Sequence, residues 1–580
     1  MHQRTFARVA PMRARFFFYA SLAIALFLAW RLCEVQVING ATYAKQALAQ
    51  RSDTVEVFAR RGSILDRNGN VLVRSLPSES VYAVPREIAD PAAAVAKLTA
   101  IFGRLDRTTI AALHDRHLWF VWIARKVPHD QAARVRALGL VGVNLKEEET
   151  GLRIDTAGRL ASTVVGFVGT DENGLDGIEY AYDDVLRGRS GQVMLEADEF
   201  GRPIPFGRER VVTPAQPGLD VELTIDPYLQ YVAQRALAQQ VAAFHALDGT
   251  AIVMDPWTGE VLALANMPDF DPNRFWKFDD AHRRDRAVMD AYEPGSTYKL
   301  VTAAAALESK KVTLASRFPA RDRLEVGGQT IHNAEDGLMA GNGGSETLEQ
   351  IVQLSHNVGA AEVGLAIGAK TRYAMERKAG FGTTTGVGLP GENPGIVPPP
   401  SQWSGSSLAT MSFGQGVSVT PLAMSRYYCA IANGGLLMQP RIVRAVYDQN
   451  GALLQRYSPT VVRRVFSRRT AAELASFLRA VVLHGTGNPT AKIPGYATAG
   501  KTGTAQMVVG GGYRAGYYAA SFIGMVPYPR ARYLIYVKVE RPLGSYYASV
   551  VAAPAFAQIA RAAMLHAGVL PSTTLADRGK

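Results

Sequence analysis

The chain has 580 residues, with 63 Lys+Arg against 51 Asp+Glu, a formal charge of +12, 48% hydrophobic residues and 20% charged ones. This balance excludes a largely disordered chain, and the length exceeds one core, suggesting roughly three or four domain-sized units. The basic residues form no long block, which argues against a nucleic-acid-binding arm, and the two cysteines, Cys33 and Cys429, suggest neither a disulfide framework nor a metal cluster.

In chain order, Arg4, Arg8, Arg13 and Arg15 precede an uncharged run from Phe16 to Trp30, which Leu32, Cys33, Val35, Val37 and Ile38 extend past Arg31. That reads as one tilted membrane span over 16–38. Residues 1–15 then form a cytoplasmic tail and the rest lies outside, because basic residues stay on the cytoplasmic side. Trp30-Arg31-Leu32-Cys33 lacks a small-x-small cleavage site, so an uncleaved anchor is expected in place of a signal peptide.

Residues 39–215 alternate short apolar strands with turns and read as a mixed α/β pedestal or interaction module. Within it, Arg60 to Val73 reads as two strands joined by an Asn68-Gly69 turn. The acids between Gly174 and Gly191 are expected on a solvated helix face, in ion pairs, and not at a metal. A second domain over 216–570 opens after Pro214-Ala215-Gln216-Pro217-Gly218. It starts with a strand at Val221–Asp226, a helix from Pro227 to about His245 and a hairpin of Thr250–Asp255 with Glu260–Ala265. A helical middle follows, then three strands over Tyr496–Ala505, Ala519–Val526 and Arg532–Val539, and a tail over 571–580. Strands, helices, then strands is an α+β layout, whose first and last strands can share a sheet.

Three short motifs carry chemistry. In Glu293-Pro294-Gly295-Ser296-Thr297-Tyr298-Lys299-Leu300 a Pro-Gly break delivers Ser296 to the start of a helical run, placing Lys299 on the same face. A desolvated lysine can deprotonate a neighbouring serine, although a helix-cap serine followed by a solvated lysine fits this motif alone. Ser355-His356-Asn357 interrupts the helical pattern of Leu348–Ile367. Lys501-Thr502-Gly503-Thr504 lies on the first late strand, with Lys501 and Gly503 on one face, Thr502 and Thr504 on the other, and the glycine read as room for a substrate backbone. Each motif is weak singly; their order is informative.

That order, S-x-x-K, S-x-N, K-T-G, is that of the penicillin-recognising serine enzymes. The chain resembles the class B penicillin-binding proteins from its anchor to about Phe556. Further matched stretches include Arg61-Gly62, Asp66-Arg67-Asn68-Gly69, Gly177-Ile178-Glu179, Ser412-Phe413-Gly414-Gln415-Gly416 and Gly485-Thr486-Gly487. The resemblance implies a membrane-anchored peptidoglycan D,D-transpeptidase with a penicillin-binding domain built of an antiparallel sheet and a helical subdomain. It makes Ser296 the acylated nucleophile, Lys299 the group that takes its proton, Ser355 the donor to the departing amine, and Lys501 the cation that keeps Lys299 neutral. Asn357 would hold the substrate amide, and the backbone N–H groups of Ser296 and Thr504 would form the oxyanion hole. Thr502 and Thr504, beside Gly503, would grip the terminal carboxylate of a D-Ala-D-Ala stem peptide. No cofactor or metal is implied, β-lactams are expected to bind, and the implied partner is a SEDS-family glycan polymerase.

A division-type, FtsI-like role is favoured over an elongation role by length and by Pro494 to Ala505. A serine β-lactamase or β-lactam sensor shares the nucleophile, but no E-x-x-N element is obvious after Ser355, and a non-catalytic scaffold would not need the full residue set. Two departures stand out. His356 replaces a small residue, where helical spacing would turn it from the cleft, and Gly151-Leu152-Arg153-Ile154-Asp155 replaces a more familiar Arg-Tyr-Pro turn.

Overall fold

The apolar run behind the N-terminal arginines forms one helix, Phe6–Cys33, continued by a wide turn over Glu34–Ile38 and a helix over Gly40–Arg51. Met12–Ile38 has a mean hydropathy of 1.8 and no buried part. The computed structural model describes residues 6–196, 209–334, 344–510 and 512–572; Arg4 and residues 573–580 of the expected tail lie outside these. The chain divides into two compact units, 1–59 with 189–217, and 60–188 with 218–580. In the first, Ser52–Val57, Gly191–Glu196 and Glu209–Thr213 form an antiparallel three-stranded sheet.

In the second unit, Ile64–Leu65 pairs antiparallel with Val71–Ala83, as the Asn-Gly signal suggests, but the connection is longer than two residues. Asp66, 1% exposed, organises it: Oδ1 accepts from the backbone N–H groups of Asn68 at 2.7 Å and Asn70 at 3.0 Å. An aspartate bonding its own following backbone makes a turn without a two-residue hairpin. The sheet continues through Asp220–Leu223, Val443–Tyr447 and Leu453–Arg456 on one side. On the other lie Val121–Val127 and Val143–Asp155, both paired with Val71–Ala83. Gly151-Leu152-Arg153-Ile154-Asp155 is thus strand, not turn.

Of the acids expected on a solvated face, Glu179 is buried, Asp176 and Asp183 are half-buried and Asp184 is exposed. Arg61 bridges Glu179 at 2.6 Å and Asp183 at 2.7 Å, and Arg153 meets the other Glu179 oxygen at 2.7 Å, with the Arg61 and Glu179 side chains each 1% exposed. Ion pairing is as expected, but Glu179 finds its partners in distant segments, Arg61 ahead of the strand Ile64–Leu65 and Arg153 in the strand Val143–Asp155, so it turns inward.

The remaining elements, numbered here within this unit, build the catalytic half. Helix α1, Pro227–Ala243, is capped by Asp226, whose carboxylate accepts from Tyr228 and Leu229 N–H, with Pro227 at the first position. Strands β1, Asp248–Met254, and β2, Val261–Met267, form the expected hairpin. Helices α2 (Lys299–Glu308), α3 (Leu348–Leu354), α4 (Asn357–Ile367), α5 (Pro421–Ala432) and α6 (Arg468–His484) make the helical middle. Strands β3, Ala499–Val509, β4, Gly512–Val526, and β5, Tyr533–Glu540, complete an antiparallel sheet of order β2-β1-β5-β4-β3, followed by α7, Ala553–His566.

Every residue of β1 and β5 is buried, because helices cover both faces. Alternation divides β1 cleanly: Ile252 and Met254 enter the core shared with α2 and α5, while Ala251 and Val253 enter the core shared with α1 and α7. The helix over Ala548–His566 is also apolar enough to cross a membrane, but it is largely buried in the second of these cores.

Removing one partner from a buried ion cluster strands the others, at a cost of about 3–5 kcal/mol. Glu179→Ala, which leaves Arg61 and Arg153 uncompensated, is expected to lower the urea midpoint by that equivalent. An unchanged midpoint would mean that the cluster is not energetically closed.

Candidate active site

Ser296 lies in a 3₁₀ turn, Gly295–Tyr298, that runs into α2 at Lys299. With three residues per turn, positions i and i+3 eclipse, so Lys299 stands directly over Ser296. The turn is held from several sides. Gly295 donates to Gly414 O at 3.1 Å, and a Cβ on Gly414 would come within 2.2 Å of Gly295 O, which is why the Ser412–Gly416 stretch carries a glycine there. Tyr428 OH donates to Thr297 O at 2.8 Å and Tyr427 OH to Leu300 O at 2.9 Å. Arg372, fully buried, donates to Thr302 Oγ1 at 2.6 Å and pairs with Glu376 at 3.0 Å. The alanine run Ala303–Ala306 is buried, small enough for neighbouring helices to approach closely.

Ser355 and Asn357 come from the break between α3 and α4. Ser355 caps α3 in the left-handed region at φ 62°, and His356 is extended, so the second motif is a sharp turn that projects both neighbours toward Lys299. Asn333 fixes it by accepting from the N–H groups of Asn357 at 2.8 Å and Val358 at 3.1 Å. Lys299 Nζ donates to Ser355 O, to Asn357 Oδ1 at 2.9 Å and toward Ser355 Oγ at 3.2 Å. Lys501 Nζ reaches the same Ser355 Oγ at 2.9 Å. One hydroxyl therefore bridges two lysine nitrogens.

β3 is the edge strand of the sheet, and its free side faces the nucleophile turn. A Cβ on Gly503 would lie 2.8 Å from Thr297 Cγ2 and 2.6 Å from Ser521 Oγ. The glycine thus serves protein packing against the turn, not the approach of a substrate backbone as read from sequence. Thr502 and Thr504 face the other way, and Thr502 Oγ1 bonds Thr486 Oγ1 at 2.6 Å. Ser296, Ser355, Asn357, Thr502, Thr504 and Thr486 line one cleft of about 490 Å³.

Burial, reinforced by the Lys501 ammonium, holds Lys299 well below the ordinary lysine value; Glu346 pulls in the opposite direction. Burial takes Lys501 down to about 7. The acceptors around Lys299 suit an ammonium, but no carboxylate touches it among the described residues, and an unpaired buried charge is the costlier term. The expected outcome is a lysine more readily neutral than an ordinary one, and in that form able to accept a proton. His356 is turned from this chemistry, but by Glu346, with Nδ1 2.5 Å from Oε2, and not by helical spacing.

Asn333, Glu346 and Arg372 have no sequence signal of their own; each acts across 24 residues or more, or through burial that composition does not reveal. Thr486 lay in a matched stretch without an assigned role. Among the described residues no cluster of His, Cys, Asp and Glu could hold a metal ion.

Residues 249–561 match the penicillin-binding protein transpeptidase domain and residues 56–223 the penicillin-binding protein dimerisation domain. Stage V sporulation protein D of Bacillus subtilis is 34% identical over 97% of this chain and 87% of its own length. Peptidoglycan D,D-transpeptidase FtsI of Escherichia coli K12 is 31% identical over 93% and 89%. The crystal structure of penicillin-binding protein 3 from Mycobacterium tuberculosis, complexed with aztreonam, superposes with a TM-score of 0.69 at 30% identity, covering 89% of this chain and 98% of that one.

Proposed function

The chain belongs to the class B penicillin-binding proteins, and from that premise we propose a complete assignment of its cleft. It is a serine-type peptidoglycan D,D-transpeptidase that binds peptidoglycan and β-lactams. Ser296 is the nucleophile: its Oγ attacks the carbonyl of the penultimate D-alanine while its proton passes to neutral Lys299 Nζ. Backbone N–H groups of Ser296 and Thr504 hold the oxyanion, Asn357 the substrate amide, and the hydroxyls of Thr502 and Thr504 the terminal carboxylate. The C–N bond then breaks, and the departing D-alanine amine takes a proton from Ser355 Oγ, which Lys299 replenishes. An amine from a neighbouring stem peptide attacks the ester, returns a proton along the same chain, and Ser296 leaves reprotonated as the crosslink forms. The observation that carries this assignment is the Ser355 hydroxyl shared by Lys299 at 3.2 Å and Lys501 at 2.9 Å.

The division of labour along the chain is part of the same proposal. Residues 16–38 span the membrane once with 1–15 cytoplasmic, 39–215 form the pedestal, and 216–570 carry the reaction outside, with a SEDS-family polymerase as partner. Support comes from the exposed apolar helix and the arginines that precede it. Wall synthesis at the septum is the reading favoured by chain length and by the stretch Pro494 to Ala505. Depletion is expected to give filaments; rounded cells would assign the chain to elongation.

A fluorescent penicillin is expected to label the full-length protein in detergent at Ser296 and to leave Ser296→Ala unlabelled. Absence of label on the folded wild type would remove the enzymatic reading, and fast drug turnover would replace it with a β-lactamase. Neutral Lys299 is the competent form, so acylation rises with pH through its titration. Lys501→Met removes a cation that depresses Lys299, and the acid limb is expected to move upward by roughly one pH unit. A limb at its wild-type position would separate Lys501 from the base.

A further inference from the structure

His356 stands between the two residues that hold Lys299, yet its side chain is directed at a carboxylate. Its Nδ1 lies 2.5 Å from Glu346 Oε2, with His356 8% and Glu346 3% exposed. Glu346 belongs to the short strand Ser345–Thr347, paired with Arg317–Pro319, and its other oxygen presses on the first turn of α4, where a Cβ on Gly359 would come within 2.3 Å of Oε1. This pair backs the Ser355–Asn357 turn from behind.

The charged groups around it are few. From α2 comes Lys299, which the Glu346 charge draws toward its protonated form. From α4 comes Glu362, pushed upward by burial, drawn back by Arg321 at 3.9 Å and pushed again by Glu346. From the strand Gln329–His332, His332 offers its backbone oxygen to Asn357 Nδ2 at 3.0 Å while its ring is exposed. Lys501 approaches only through Ser355. A lone carboxylate in this position works against the base, because an opposite charge favours the ammonium.

We propose that His356 holds a proton against Glu346 and so cancels the carboxylate's field at Lys299, making the two a positioning pair that keeps the catalytic lysine deprotonated. The imidazole is suited to this because, once protonated, it places a positive charge on a ring whose Nδ1 already faces the carboxylate. A small residue in its place would leave the buried carboxylate uncompensated beside the proton path. The proposal explains why a bulky titratable residue occupies the middle of the second motif without entering the cleft chemistry. It rests on Lys299 as the general base.

The test is the pH profile of acylation by a fluorescent penicillin on the full-length protein in detergent, for wild type, Glu346→Gln, His356→Gln and the double variant. Glutamine at 356 still donates to Glu346 but carries no charge. His356→Gln, which leaves the carboxylate uncompensated, is expected to move the acid limb upward by roughly one pH unit, while Glu346→Gln, which leaves the buried imidazole no carboxylate to hold its proton, is expected to leave the limb near its wild-type position. The double variant is expected to follow Glu346→Gln. A loss of plateau rate in His356→Gln with the limb unmoved would make the pair merely structural and overturn the proposal. So would a limb moved by Glu346→Gln but not by His356→Gln, which excludes histidine as the compensating charge. Should His356→Gln fail to fold by thermal melting, His356→Asn takes its place in the same comparison, and a limb that Glu346→Gln moves downward would by itself overturn the proposal, because the carboxylate's pull on Lys299 would then have been uncancelled. A wild-type profile with no acid limb that responds to Lys501→Met would instead defeat the assignment of Lys299 itself.

Discussion

Two lysine side chains enclosed with one serine hydroxyl set the conditions for the rest of the catalytic half. Lys299 is 1% exposed and Lys501 fully buried, and among the described residues neither is paired with a carboxylate. Burying an ammonium costs several kcal/mol unless it is paired or gives up its proton. The fold supplies no pairing, so the second route is the cheap one. What it must supply is a rigid enclosure, since water admitted to the cleft would restore ordinary lysine chemistry. The alanine face of α2, the two tyrosines of α5 and the Arg372–Glu376 pair provide that enclosure from the protein side.

The edge of the sheet supplies the second condition. An exposed edge strand invites unwanted pairing and is usually blunted. Here β3 ends the sheet order, and the turn at Pro294–Thr297 lies against it so closely that Gly503 has no room for a side chain and Gly295 little, while Gly414 is packed against Gly295 of the turn itself. Nucleophile and threonines thereby acquire a fixed separation without a covalent link. The cleft is consequently the place where an extended peptide can still meet a strand edge, with Ser296 at one end of the contact. A substrate that is itself extended backbone fits such an edge better than a compact one.

Much of this was legible in the sequence, and the parts that were not share a cause. The hairpin of β1 and β2, the start of α1, the Ser296 turn and the three late strands follow from local signals: proline and aspartate at a helix start, alternation in the strands. Their assembly into one sheet follows from the α+β order. Most of the errors concern contacts between distant segments; the Asp66 connection and the strand over Gly151 to Asp155 are local exceptions. Glu179 looks like a solvated acid because Arg61 and Arg153 lie 118 and 26 positions away. Gly503 looks like space for a ligand because nothing local announces Thr297 and Ser521 beside it. His356 does turn away, but a helical argument supplied the wrong reason, since Ser355 is left-handed and breaks the helix. The catalytic motifs themselves were readable through their order, whereas Asn333 and Thr486, which hold them, were not.

The Glu179 cluster and the cleft use buried charge in opposite ways, and the contrast clarifies why arginine serves one and lysine the other. Around Glu179 the cations are guanidiniums, which present paired donors in a fixed plane and do not give up a proton in proteins. Every close cation there has an acid facing it, so charge is retained and the geometry is locked. In the cleft the cations are ammoniums on flexible stems, the acids are withheld, and Lys501 titrates at about 7. An arginine in place of Lys299 would keep its proton through burial and could not serve as the base, while a carboxylate brought to Lys299 would restore its charge. The same burial that makes an ion cluster a fastening therefore makes an unpaired lysine reactive. What decides between the two outcomes is which segments deliver acids: Glu179 and Asp183 are delivered to Arg61, and Glu346, among the described residues the one acid with a pull on Lys299, is met by His356.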